Sequence, residues 1–236
     1  MLPQAIFFDM DDTLLKYNIP LESAWQKACE ISLKESQTIK VDELLQQIEI
    51  ARNWYWSDPE RQRTGRLNLL NARTTIVKKA LKQLGRNDER TAGNIAVNYA
   101  NILDGTLDFF PDAEKTLKEL VKKKVKLALL TNGAGEVQRA KINRFGLARY
   151  FPTCLVEGDL GYGKPDQRVF KMALQKLNVN PNQTWMVGDD LERDIGGAQI
   201  AGIFSIWHDY NKTGLPAGSR IIPDKTISHI TELLFL

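Results

Sequence analysis

Cysteine and histidine are scarce: the chain has two of each in 236 residues. Cys29 and Cys154 have no neighbour at metal-ligand spacing, and His208 and His229 fall in no ligand motif, so no zinc centre is expected. Nothing in the spacing of two cysteines argues for a disulfide, and both are expected as buried thiols in a reducing compartment. No apolar run approaches the roughly 20 residues that span a bilayer. Met1 leads directly into an expected strand, without the basic and apolar regions of a secretory signal. Repeats and low-complexity tracts are absent as well. The net charge is only +3, and the basic residues form no long run. Lys122-Lys123-Lys124 reads as a solvated helix end favoured by the helix dipole. These absences argue against a nucleic-acid polymer or a membrane as partner. They leave a cytoplasmic protein, monomeric or homodimeric.

What is present is an ordinary globular balance, 43% hydrophobic and 26% charged, enough for one large domain or two small ones. The apolar run Ala5 to Phe8 reads as a buried strand. From about 21 to 104 the periodicity is helical throughout, with helices expected over Leu21 to Ser36, Val41 to Trp56, Gly65 to Leu84 and Glu89 to Leu103. From Phe110 onward strands and helices alternate. Helices are expected over Asp112 to Lys124, Glu136 to Phe145, Asp166 to Leu177, Asp190 to Ala201 and Ser228 to Leu234. Strands are expected over Val125 to Leu130, Cys154 to Glu157, Thr184 to Val187 and Ile203 to Trp207. This alternation predicts an α/β fold, a doubly wound parallel sheet, with a helical block inserted after its first strand.

Four strand ends carry chemistry. The first strand stops at Asp9, with Asp11 and Thr13 just beyond. Thr131-Asn132-Gly133 follows the run Lys126 to Leu130. Gly163-Lys164-Pro165-Asp166 precedes a helix, and Gly188-Asp189-Asp190-Leu191-Glu192-Arg193-Asp194 follows another strand. Parallel strands bring such ends to one edge of the sheet, where ligands bind in open α/β folds. Carboxylates gathered there need a proton or a cation to be tolerated. Oxygen donors in small number suit Mg²⁺, and Mg²⁺, a lysine and backbone N–H groups together suit a phosphoryl group. Taken singly, each Asp could equally cap a helix or close a turn, and Lys164 could be a surface lysine.

The four motifs, in this order, resemble the haloacid dehalogenase superfamily over residues 4 to 210. The runs Leu-Leu-Thr-Asn-Gly (129–133) and Gly-Asp-Asp-Leu-Glu-Arg-Asp-Ile-Gly-Gly-Ala (188–198) are most similar to the branch of N-acylneuraminate-9-phosphatases and pyrimidine 5′-nucleotidases. The resemblance implies a Rossmann-like core, 1–16 and 107–236, and a type-1 helical cap, 17–106. It implies a Mg²⁺-dependent phosphatase acting on a small phosphate ester, a sugar phosphate or a nucleoside monophosphate. Asp9 would be the nucleophile and Asp11 the general acid/base. Thr131, Asn132 and Gly133 would hold the phosphoryl group, with Lys164 neutralising charge and steadying Asp9. Asp9, the Asp11 carbonyl and Asp189 would ligate Mg²⁺, with Asp190 and Asp194 as outer or additional ligands. The cap would carry specificity. Trp54-Tyr55-Trp56 with Arg61, Arg63 and Arg66 could grip a substrate, or could simply be helical core and solvated arginines. A phosphomutase, a 2-haloacid dehalogenase and a catalytically silent binding protein are the competing readings. Dehalogenation needs neither a metal nor Asp11, and a silent protein would be expected to lack Asp9, Asp11 or Lys164.

Overall fold

The computed structural model describes residues 2–34 and 39–236. In chain order the elements are β1 (Ala5–Phe8), β2 (Leu15–Tyr17), α1 (Leu21–Ser32), α2 (Val41–Trp56), α3 (Pro59–Leu67), α4 (Leu69–Gln83) and α5 (Glu89–Thr106). There follow β3 (Leu107–Phe109), α6 (Ala113–Lys122), β4 (Lys126–Thr131), α7 (Gly135–Arg144), β5 (Thr153–Val156), α8 (Glu157–Leu160) and α9 (Gln167–Leu177). The chain closes with β6 (Thr184–Gly188), α10 (Gly197–Ile200), β7 (Phe204–His208) and β8 (Lys225–Ile227). It divides into two compact units, one of residues 1–16 and 109–236, the other of residues 17–108. The short strands β2 and β3 form a two-stranded sheet at the points where the chain passes from one unit to the other.

In the first unit six strands lie in the order β5-β4-β1-β6-β7-β8, every pair parallel. Numbered by their own sequence this is 3-2-1-4-5-6, a doubly wound order whose switch point lies beside β1. β1 is flanked by β4 and β6 and all four of its residues are fully buried, which explains an unbroken apolar run in place of alternation. Phe8 is in register with Leu129 and Val187, so the residues that follow β1, β4 and β6 emerge at one edge. On one face Phe7, Ala128 and Met186 pack with Phe170 and Ala173 of α9.

Between its two strand ends the second unit is built of helices. Trp25 of α1 stacks on Tyr99 of α5 with ring centroids 3.8 Å apart, and Ile48, Ile76 and Leu81 fill the space among α1, α2, α4 and α5. The helix expected over Gly65 to Leu84 is two helices. Asp58 caps α3 by accepting the Arg61 N–H at 2.8 Å, with Pro59 at the first helical position. Asn68 leaves helical geometry and accepts the Asn71 N–H at 3.1 Å, starting α4. The first helix ends at Ser32, and the Ser36 end expected for it falls outside the described residues.

Elsewhere the differences are local. The expected helix over Asp190 to Ala201 is a wide π-helical turn, Leu191–Gly196, followed by one short turn of α-helix. The closing helix is 3₁₀, Ile230–Phe235, with Glu232 accepting the N–H groups of Ser228 and His229. Strand β8 and the short helix α8 were not expected; each is too brief to carry a period. Both cysteines are free, Cys29 buried as expected but Cys154 only half-buried, its Sγ 3.6 Å from the Phe151 carbonyl. No helix among the described residues is long and apolar enough to cross a membrane.

Gly65 tests the packing of the second unit. A Cβ there would lie 2.8 Å from Cε1 of Tyr55 and 3.2 Å from Trp56. In an open helix Gly→Ala stabilises by about 1 kcal/mol. Here Gly65→Ala is expected to destabilise by about 1–3 kcal/mol through overpacking. Urea unfolding followed by tryptophan fluorescence checks the sign, and a stabilised variant would contradict this packing.

Candidate active site

The site lies at the strand-tip edge of the first unit. Asp9, at the end of β1, is anchored by its N–H donating to the Val187 carbonyl at 2.9 Å. Lys164 is almost fully buried. Its ammonium donates to Asp9 Oδ1 at 2.5 Å and forms an ion pair with Asp194 Oδ1 at 2.6 Å. Asp189 completes the group: carboxylate oxygens of Asp9, Asp189 and Asp194 all lie within 4.8 Å of one another.

Each part is held by its own local device. The Asn132 side chain clamps the Lys164 backbone, accepting its N–H at 2.9 Å and donating to its carbonyl at 2.7 Å. Gly163 permits that approach, since a Cβ there would meet Asn132 Oδ1 at 2.5 Å. Gly188 does the same for Asp194, whose Oδ2 would lie 2.2 Å from an added Cβ. Asp194 Oδ2 accepts the Asp190 N–H at 3.1 Å. Trp207 donates its indole N–H to the Asp189 carbonyl at 2.8 Å. The Gly133 N–H donates to the buried Glu157 at 3.0 Å, and the Gly133 carbonyl accepts from Gly158. Gly133 is thereby a loop anchor, with its donor already engaged.

Three carboxylates crowd around one lysine, which pairs with two of them, and the electrostatics follow. Burial, opposed by Lys164 and reinforced by Asp194, pushes Asp9 up to about 7. Burial and then Asp9 push Asp189 up to about 9. Burial would depress Lys164, yet Asp194 and Asp9 hold it above the usual lysine range. The site therefore has room for positive charge. A hard cation fits this all-oxygen donor set.

Asp190 belongs to a different job. Its Oδ1 accepts the N–H groups of Glu192 and Arg193 at 3.0 and 2.7 Å, and its Oδ2 pairs with the Arg193 guanidinium. Burial opposes it, but Arg193 holds its carboxyl below the ordinary range. It caps the wide turn that carries Asp194 toward Lys164. Asp11 lies apart from the triad, half-buried, with its carboxylate on Lys141 and Gln138 of α7. Gln138 also donates to Thr131 Oγ1 at 2.5 Å. Neither α7 residue was anticipated. The sequence carries no signal for them: both read as surface residues of a helix, and only the folded α7 buries Gln138 and Lys141 together with Ile142.

In the second unit Tyr55 is buried, Trp56 packs against the core and Trp54 is partly exposed. Arg61 lies 4.1 Å over the Trp54 ring and donates to the Tyr55 carbonyl at 3.1 Å, while Arg63 pairs with Glu60. Arg61 thus ties α3 to the end of α2, and Arg63 pairs within α3.

The family model for haloacid dehalogenase-like hydrolases matches residues 3–202. A phosphoserine phosphatase of Thermus thermophilus is 40% identical over 125 residues, 52% of this chain and 49% of that protein. The chain thus spans about half the length of that relative. A ribulose-1,5-bisphosphate 5-phosphatase of Halopiger xanaduensis is 31% identical over 208 residues, 87% of this chain and 84% of its own. Human N-acylneuraminate-9-phosphatase is 38% identical over 124 residues, 52% of this chain and 49% of its own. Among solved structures, the HAD-hydrolase YfnB of Bacillus subtilis, bound to magnesium, superposes with a TM-score of 0.74 over 100% of this chain and 98% of that one, at 21% identity.

The raised carboxyls make a pH prediction. An acid whose pKa rises from 3.8 in the unfolded chain to about 7 or 9 in the fold stabilises the fold only while protonated. That contribution is complete below pH 4 and is lost as pH climbs toward 9. In EDTA the protein is expected to melt higher at pH 5 than at pH 8, and Asp189→Asn should shrink the difference. Thermal unfolding by circular dichroism checks it, and an unchanged difference in Asp189→Asn would remove Asp189 as the source.

Proposed function

The chain belongs to the haloacid dehalogenase-like hydrolases, and on that premise we propose that it is a Mg²⁺-dependent phosphatase that hydrolyses a small phosphorylated metabolite through an aspartyl-phosphate. The observation that carries this reading is the buried Asp9–Lys164–Asp194 array with Asp189 beside it. Lys164 occupies Oδ1 of Asp9 and leaves Oδ2 to attack phosphorus. The bond from Oδ2 to phosphorus forms as the ester P–O bond breaks, and Asp11 delivers a proton to the departing oxygen. Water then attacks the aspartyl-phosphate, its proton passing to Asp11, and phosphate leaves with Asp9 restored. Thr131 accepts from Gln138, so its own hydroxyl hydrogen is directed to a phosphoryl oxygen, beside the Asn132 N–H. Asp9, Asp189 and the Asp11 carbonyl would hold Mg²⁺, with Asp194 reaching it through water. When bound, the ion neutralises the carboxylates and the phosphoryl oxygens.

Asp11 separates this reading from a dehalogenase, whose chemistry has no use for an acid two residues past the nucleophile. The helical unit, residues 17–108, would act as a cap that selects the substrate. The names of the relatives span an amino-acid phosphate, a sugar bisphosphate and a sialic-acid phosphate, which supports a small phosphate monoester as the class.

Asp9→Asn keeps the shape and removes the attacking charge. Turnover of p-nitrophenyl phosphate is expected to fall on the order of 10³-fold or more, and near-normal turnover would end the covalent mechanism. EDTA should abolish activity, Mg²⁺ restore it and Ca²⁺ inhibit, since Ca²⁺ tolerates more oxygens and would engage Asp9 through both. Steady-state assays after chelation read this directly, and full turnover of p-nitrophenyl phosphate in EDTA would end the Mg²⁺ requirement.

A further inference from the structure

Two residues of α7 bear on the reaction without belonging to any of the four strand-end motifs. Gln138 and Lys141 are three apart and share a buried face of that helix. Lys141 Nζ donates to Asp11 Oδ1 at 2.7 Å. The Gln138 amide nitrogen lies 2.5 Å from Thr131 Oγ1, 2.9 Å from Asp11 Oδ2 and 3.2 Å from the Asn132 carbonyl. An amide nitrogen has two hydrogens, and here it faces three acceptors. One acceptor can therefore be released without stranding a buried donor, which would otherwise be costly. Oδ1 of Asp11 is held differently, by the Lys141 ammonium at 2.7 Å.

We propose that Lys141 and Gln138 are positioning residues for the proton transfer, Lys141 fixing Asp11 through Oδ1 while Gln138 alternately holds and frees Oδ2. Oδ2 is then the oxygen that gives its proton to the leaving group and later takes one from water. Gln138 keeps Thr131 in place throughout, so the hydroxyl that meets the phosphoryl group and the carboxylate that handles the proton are tied to one helix face. The proposal rests on the phosphatase reading of the same site.

The test compares p-nitrophenyl phosphate, whose leaving group hardly needs a proton, with phenyl phosphate, which has nearly the same shape and needs one. In Lys141→Met, kcat for phenyl phosphate is expected to drop about 10²-fold, the scale of a catalytic group misplaced by about 1 Å, and kcat for p-nitrophenyl phosphate about threefold or less. Lys141→Arg should recover most of the loss. Asp11→Asn/Lys141→Met should be no slower than Asp11→Asn alone, because a positioning residue has nothing left to position. Gln138→Met should raise KM for both substrates through Thr131 and, through Asp11 Oδ2, lower kcat more for phenyl phosphate than for p-nitrophenyl phosphate. Circular dichroism checks folding, and Lys141→Gln replaces Lys141→Met if the methionine variant does not fold. Equal losses on both substrates, or losses that multiply in the double variant, would overturn the positioning role while leaving the phosphatase reading intact. A wild-type protein that hydrolyses neither ester would overturn both.

Discussion

One buried ammonium shared by two carboxylates is the constraint from which the rest of the site follows. Lys164 is sealed from solvent between Asp9 and Asp194, with Asp189 a few ångströms away. Burying a lone charge costs several kcal/mol, so none of these groups is tolerable alone. Together they remain unbalanced, three potential negative charges against one positive. The imbalance appears as carboxyls driven upward by burial and by one another. A proton can relieve it at low pH, and a divalent cation can do so near neutrality, where proton and metal compete for the same oxygens. A phosphoryl group brings further negative charge to this edge. The site therefore suits a chemistry in which a cation and an anion arrive together.

The fold supplies the rigidity that such crowding needs. Asp9, Thr131 and Asp189 sit at or just past the tips of three adjacent strands whose register is fixed by ladders on both sides of β1. Lys164 lies on a loop and Asp194 in the wide turn, and each is admitted by a neighbouring backbone bare of a Cβ. Gly163 lets Asn132 grip the Lys164 backbone, and Gly188 lets Asp194 press against the strand end. The wide turn after Asp190 belongs to the same arrangement. With Asp190 capping it through Glu192 and Arg193, the turn carries Asp194 to the lysine. Wide turns of this kind recur at functional sites.

Much of this was legible in the sequence, for a physical reason. A polar residue ending an unbroken apolar strand has few innocent explanations, and Asp9, Thr131 and Asp189 each end or follow such a run, while Lys164 was marked by its glycine-flanked turn before a helix. The parallel, doubly wound sheet likewise followed from strand–helix alternation. What stayed hidden depends on where side chains point. Asp190 and Asp194 look alike in the sequence, four apart in one turn, yet one is a cap and the other a partner of Lys164. Gln138 and Lys141 read as ordinary surface residues of a helix until α7 is seen to bury that face. The division between α3 and α4 at Asn68 was missed because apolar spacing runs on across it. The break lies in one residue's backbone and in the cap its side chain makes.

The aromatic and arginine cluster of the second unit shows the same limit from the other side. Trp54, Tyr55, Trp56 and Arg61 have the composition of a ligand-gripping surface. Their actual engagements are with one another and with main-chain carbonyls: Arg61 on the Trp54 ring and the Tyr55 carbonyl, and Lys79 4.3 Å from the same ring. A guanidinium committed to carbonyls and an aromatic face has less to offer an incoming anion than one held only by water. Chemistry of the strand-tip kind is recognisable because its spacing is dictated by the sheet. Selectivity is not, because residues of identical type can be consumed by packing. A search for substrate determinants in the helical unit therefore does better to start from half-buried polar groups that packing leaves unspent.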